Sequence, residues 1–121
     1  MRPLYVGATI QDSGKTCMSL GLMHVLRAKN CNPGYFKPVG QHYVFYKNNN
    51  IDEDAVLIHQ IFDVTDKPYY LSPIAIEKGF TADFIFNPNV LPLEKKILDS
   101  AQQISEKHPM MIVEGTGHAG V

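Results

Sequence analysis

The chain is 121 residues long, 45% hydrophobic and 19% charged, with 11 basic against 12 acidic side chains. A chain of that size buries roughly two thirds of the surface it exposes when unfolded, enough for one modest core and too little for two independent domains. Near-neutral charge without a basic tract excludes a dedicated nucleic-acid surface, and apolar runs as short as Met110 to Val113 fall far below the roughly 20 residues of a bilayer crossing.

The opening Met-Arg-Pro-Leu-Tyr-Val lacks the apolar stretch and cleavage site of a secretory signal. Cys17 and Cys31 follow no metal or redox spacing. A cytoplasmic protein with free thiols is the expectation.

Leu4 to Ala8 reads as a short buried strand that leads into the polar turn Thr9-Ile10-Gln11-Asp12-Ser13-Gly14-Lys15-Thr16. From Thr16 to Lys29 there is no proline, and Met18, Leu22, Val25 and Leu26 recur at helical spacing. Asn30 to Gly34 stops that helix. Tyr35-Phe36-Lys37-Pro38-Val39-Gly40 reads as a second strand with Lys37 at its mouth, and Gln41 to Ile51, aromatic and then Asn-rich, reads as a surface loop. Asp52 to Phe62 is helical in pattern, with Ala55, Ile58 and Phe62 on one side and an acidic first turn that suits the free amides there.

Asp63 to Pro92 holds four prolines and no period, and is expected to be connections with at most brief helix or strand. Leu93 to His108 is the third helix, with Leu93, Ile97, Ala101 and Ile104 on its inner face. Pro109 stops it. Met110 to Glu114 is a third apolar strand ending in the glycine-rich Gly115 to Val121.

Strands alternating with helices imply an α/β parallel sheet with flanking helices. Three strands leave a sheet edge uncovered. The expectation is therefore an α/β fold of parallel sheet and flanking helices truncated after the third strand, with residues 1–121 as the N-terminal portion of one domain.

Gly14-Lys15-Thr16 between strand and helix is the strongest chemical signal. Backbone amides of the turn and helix start enclose phosphates in such loops, the lysine neutralises β and γ oxygens, and the hydroxyl ligates Mg²⁺. The usual pattern also has a glycine five places before Gly14, where this chain has Thr9. An incidental turn is the competing reading.

Ala8 to Thr16 resembles the phosphate loop of dethiobiotin synthetase, Gly-Thr-Asp-Thr-Glu-Val-Gly-Lys-Thr, with Ala8 in place of the first glycine and Ile10 in place of the aspartate. Tyr35-Phe36-Lys37-Pro38-Val39 is similar to the Tyr-Lys-Pro-Val of that family, Asp52 to Leu57 to its Asp-Ala-Leu helix start, and Val113-Glu114-Gly115-Thr116-Gly117 to its Val-Glu-Gly-Ala-Gly. The same motifs occur in cobyrinic acid a,c-diamide synthases and in the N-terminal domain of long phosphate acetyltransferases. The stretch from Val113 to Val121 looks more like those relatives.

The resemblance implies a P-loop NTPase-type fold, residues 1–121 being the N-terminal portion of a single P-loop nucleotide-binding domain, with ATP and Mg²⁺ as cofactors. It marks Ser13, Gly14, Lys15, Thr16 and Cys17 as nucleotide-binding positions, and Lys15, Lys37 and Asp12 as catalytic ones. Thr16, Asp54 and Glu114 are the implied metal ligands, with Asp54 ahead of Asp52, and Lys37 and Gln41 face the substrate. Each has a plainer reading: Asp12 as a turn aspartate, Lys37 as a solvated strand end, Asp52 and Asp54 as helix caps. For Glu114 the plainer reading is the weakest, since a charge closing an apolar strand needs a partner.

The implied activity is that of an ATP-dependent synthetase or ligase. Such an enzyme phosphorylates a carboxylate or carbamate, which a neighbouring amine then attacks. The alternative is a nucleotide-binding regulatory domain with little catalysis, as in the domain fused to phosphate acetyltransferases, which the changes at Ala8 and Ile10 favour. The expected partners are a nucleotide, a small anionic or amine-bearing acceptor and a second copy in a homodimer, with neither nucleic acid nor membrane. His118 and the segment Gln41-His42-Tyr43, a possible substrate lip, stay open between contact and simple exposure.

Overall fold

The computed structural model describes residues 2–6, 15–40, 42–75 and 90–115, with side chains described from 17 and, in the last stretch, from 92. Strand β1 (Arg2–Val6) precedes helix α1 (Lys15–Ala28), followed by β2 (Gly34–Phe36), β3 (Val39–Gly40), β4 (Tyr43–Tyr46) and β5 (Asn49–Asp52). Helices α2 (Glu53–Ile61) and α3 (Pro68–Leu71) come next, then β6 (Ile74–Ala75), α4 (Val90–Ser105) and β7 (Met110–Glu114).

The central sheet is parallel, in the order β1-β7-β2. Leu4 pairs with Ile112 on one side of β7 and Tyr35 with the same Ile112 on the other. The helical crossovers a parallel sheet requires are the reason both its faces are covered. Tyr35, Phe36, Met111 and Ile112 join Met23 of α1, Ala55 and Ile58 of α2, Leu71 of α3 and Ile104 of α4 in one core.

The expectation of a fold truncated after a third strand is corrected by the seven strands among the described residues. Four of them lie between Val39 and Ala75: β3 pairs with β6 in parallel, and β4 pairs with β5 as an antiparallel hairpin. The hairpin occupies most of the predicted loop. Its turn residues Lys47 and Asn48 both have positive φ, 48° and 69°, the combination that matches the twist of two-residue hairpins. The usual Asn-Gly is absent there, and so was the sequence signal.

Helix α1 also faces differently from the predicted stripe. Met18 is 60% exposed and Val25 half-exposed, while Ser19 and Met23 are buried, with Leu26 partly so one turn on. A polar Ser19 on the inward line moved the apparent face by about one residue. The helix ends where Asn30 takes a left-handed φ of 61° and the Cys31 amide donates to the Leu26 carbonyl, so the cap precedes Pro33. Predicted and observed β7 coincide at Met110 to Glu114.

Candidate functional site

Side chains alternate across a strand, so Tyr35 and Lys37 project to one face of β2. The register of Phe36 opposite Val113 puts Ile112 and Glu114 on that same face of β7. Glu114 therefore closes the central strand at its C-terminal end with its side chain among those of Tyr35, Lys37 and Ser19. The crevice at the carboxyl ends of a parallel sheet is where α/β folds hold ligands.

Lys37 follows β2, and its backbone amide donates to the Leu71 carbonyl at 2.7 Å. It is only 8% exposed, which sets aside the reading of a solvated strand end. Its Nζ donates to Asp54 Oδ2 at 2.9 Å and lies 3.3 Å from Asp52 Oδ2 and 3.9 Å from Glu114 Oε1. Burial by itself would lower the lysine's pKa; the charges of Asp52, Asp54 and Glu114 outweigh it and raise the value, so the ammonium persists.

The carboxylates are placed by the hairpin and α2. Asp52 ends β5 and caps α2, its Oδ2 accepting from the amides of Asp54 at 2.9 Å and Ala55 at 3.4 Å. Burial raises the Asp52 pKa, an effect opposed by Lys37. Its Oδ1 is buried without a hydrogen-bond partner among the described residues. Asp52 is thus both cap and ammonium partner, whereas Asp54, the second residue of the helix, is half-buried and more accessible.

Glu114 is buried and has the partners its position demands. Its Oε2 accepts from the Tyr35 hydroxyl at 2.5 Å and from Ser19 Oγ at 3.2 Å. Burial and the Glu114 charge push the Tyr35 phenol well above its ordinary value, so it stays protonated and donates. Ser19 falls in none of the sequence motifs, and Tyr35 falls in one without a role of its own. The available signal was the need of a strand-ending charge for partners, without anything to say which.

Lys37, Asp54 and Glu114, named from three separate motifs, come together here, with Asp52 beside them. Lys15 and Thr16 begin α1, one helical turn before Ser19, and their side chains lie outside the described residues. Asp12, Ser13, Gly14, Gln41 and His118 also lie outside them. Cys17 is exposed, as are His42 and Tyr43. Among the described residues no group of three or more His, Cys, Asp or Glu side chains is set to hold a metal ion. Nor, among those residues, is any helix long and apolar enough to cross a membrane.

A sequence model of a family described as an AAA domain matches residues 2–121. The chain belongs to that family. Within the AAA-domain family, it is related to ATP-dependent dethiobiotin synthetases at low identity over most of its length. It is 26% identical to that of Clostridium kluyveri over 115 residues, covering 94% of this chain and 48% of the relative. With that of Caldicellulosiruptor saccharolyticus it shares 26% identity over 122 residues, covering 100% of this chain and 50% of the relative. For that of Nitrosopumilus maritimus the figures are 29% over 120 residues, 97% and 51%. This AAA-domain chain thus spans about half the length of the curated relatives it matches.

Proposed function

We propose that the chain binds ATP with Mg²⁺ and takes part in an ATP-dependent synthetase or ligase reaction of the dethiobiotin synthetase-like class, with residues 1–121 belonging to one P-loop nucleotide-binding domain. The observation that carries this reading is the convergence of Lys37 with Asp54 and Glu114 at the C-terminal end of the central strand. Ser19 ties that cluster to the helix that Lys15 and Thr16 begin.

The donor set fits a hard cation. The side chains concerned are oxygen donors, two carboxylates and a hydroxyl, and Asp54 and Glu114 both lie near the Lys37 ammonium. Mg²⁺ in nucleotide sites usually takes one or two carboxylates and completes its shell with water and phosphate oxygens, so a closed protein cage is not required. Asp54, Glu114 and the Thr16 hydroxyl are the residues that would hold it. When bound, it supplies charge neutralisation for the phosphate oxygens.

The chain's own groups divide the remaining work. Lys15 and the first amides of α1, in this reading, take the phosphates, where the helix dipole favours negative charge. The family resemblance assigns Ser13, Gly14 and Cys17 to the same nucleotide contact and Asp12 and Gln41 to the acceptor. Lys37 keeps a charge fixed by its surroundings and donates to Asp54, and in this reading its remaining N–H groups suit an anionic carboxylate or carbamate and the charge that develops as the γ-phosphoryl group passes to it. An acceptor oxygen attacks phosphorus and ADP leaves. The amine then attacks the acyl carbon and phosphate leaves.

Calorimetric titration with a non-hydrolysable ATP analogue and Mg²⁺ tests the reading. Lys15→Ala is expected to abolish binding, and Lys37→Ala to spare nucleotide affinity while lowering ATP turnover coupled to the acceptor. Nucleotide affinity unchanged in Lys15→Ala would defeat the proposal.

A further inference from the structure

Glu114 belongs to the proposed cation site, and two hydroxyls with no part in that site, Tyr35 and Ser19, meet its carboxylate. The carboxylate has two oxygens with different fates. Oε2 receives two hydroxyl hydrogens, from Tyr35 on β2 and from Ser19 on α1, while Oε1 is turned towards the Lys37 ammonium at 3.9 Å. Tyr35 and Ser19 are themselves buried, so each hydroxyl needs an acceptor inside the fold and has the same one.

We infer that Tyr35, assisted by Ser19, is a positioning residue that holds the Glu114 carboxylate with Oε1 presented to a divalent cation. This rests on the reading of Glu114 as a Mg²⁺ ligand and adds what orients it. A glutamate side chain has three rotatable torsions, and a ligand that must be collected from several rotamers binds more weakly than one already aimed. Hydroxyls that fix one oxygen leave the other pointing in a single direction, which is the role outer partners play for ligating carboxylates. The three elements joined at Oε2 are α1, β2 and β7. Cation binding at Glu114 is thereby linked mechanically to the helix whose first residues are Lys15 and Thr16.

Tyr35→Phe keeps the ring in the core and removes only the donor. Ser19→Ala removes the second donor to the same oxygen with little change in volume. Both are compared with wild type and Glu114→Gln by Mn²⁺ titration at saturating ATP analogue, free Mn²⁺ being read by electron paramagnetic resonance. Analogue affinity is measured separately in chelator, and thermal melting checks the fold. The expected result is a metal dissociation constant raised about 10- to 100-fold in Tyr35→Phe. Ser19→Ala shifts the same way by less, and both keep their chelator-condition nucleotide affinity within about twofold, a split that general loosening of the core does not produce.

Tyr35→Phe and Ser19→Ala both within about twofold of wild type, while Glu114→Gln loses the metal, overturns the positioning role and leaves the metal site standing. Glu114→Gln binding Mn²⁺ like wild type overturns the ligand reading itself. Should Tyr35→Phe fail to fold, Ser19→Ala decides alone.

Discussion

His108 meets the Asp66 carboxylate through Nε2 at 2.6 Å, and its other ring nitrogen faces the Asn32 carbonyl oxygen at 2.9 Å. Both partners are acceptors, so only the imidazolium, with a proton on each nitrogen, satisfies both. The hydrogen bond to Asp66 raises the His108 pKa above 6.5, against burial and the charge of Lys107. Asp66 is almost fully buried, and its own carbonyl oxygen takes His59 Nε2 at 3.1 Å. The pair therefore joins the segment before α3 to the corner between α4 and β7.

A histidine whose folded value lies above its unfolded one stabilises fully below the unfolded value, and that stabilisation is lost as pH rises through the folded one. The urea midpoint is expected to fall as pH rises from about 6 into the range above the raised His108 value, and His108→Gln is expected to flatten the slope. Asp66→Ala, which strips a buried pair of one partner, is expected to cost about 3 kcal/mol near pH 6.

Lys37→Met should destabilise more at high pH than at low. The substitution leaves Asp52 buried near Asp54 and Glu114 without the Lys37 ammonium. The Asp52 pKa is already raised, so its ionised form costs stability and protonation relieves that cost. A loss of about 3 kcal/mol at pH 8 that shrinks towards pH 5, read from denaturant midpoints, is the expected outcome.

Gly40→Ala tests the approach of β3 to the α2 cap. A Cβ there would meet Asp52 Cβ at 2.5 Å and Asp52 Oδ1 at 2.6 Å, and a backbone-anchored atom cannot swing aside. Destabilisation of about 1–3 kcal/mol is expected in thermal or urea melts, with Mn²⁺ affinity falling as Asp52 and Asp54 are displaced together.

The hairpin turn offers a gain instead. Asn48→Gly relieves a side chain held at φ 69°, worth about 1 kcal/mol where left-handed backbone is required, and should raise the melting temperature without touching nucleotide binding.

Where chemistry and periodicity coincide, the sequence was readable. Met110 to Glu114 is apolar up to a terminal charge, and its strand appears residue for residue. Lys37, Asp54 and Glu114 were named from short motifs and lie around one ammonium. What failed to show was pairing at a distance. Tyr35 looked like an ordinary strand aromatic because its partner is 79 residues away, and Ser19 like a polar interruption because its partner is 95 away. The strands of the hairpin escaped notice for another reason: Phe45 is 74% exposed, and with Tyr43 and Val44 also exposed the strand lacks the alternation that burial of one face imposes. The helix face of α1 was misplaced because apolarity alone gave Met18 and Val25 a burial that Ser19 and Met23 have instead.

The order β1-β7-β2 also governs how the molecule comes together. β1 and β2 have no pairing with each other; each waits for a strand that begins only at Met110. Loop closure over such separations is entropically costly and slows folding. Tyr35 and Lys37 gain Glu114, and Ser19 gains its acceptor, in the step that seats this last strand. Sheet and carboxylate cluster are therefore expected to form in one late event, and a chain released before Glu114 is made would have neither.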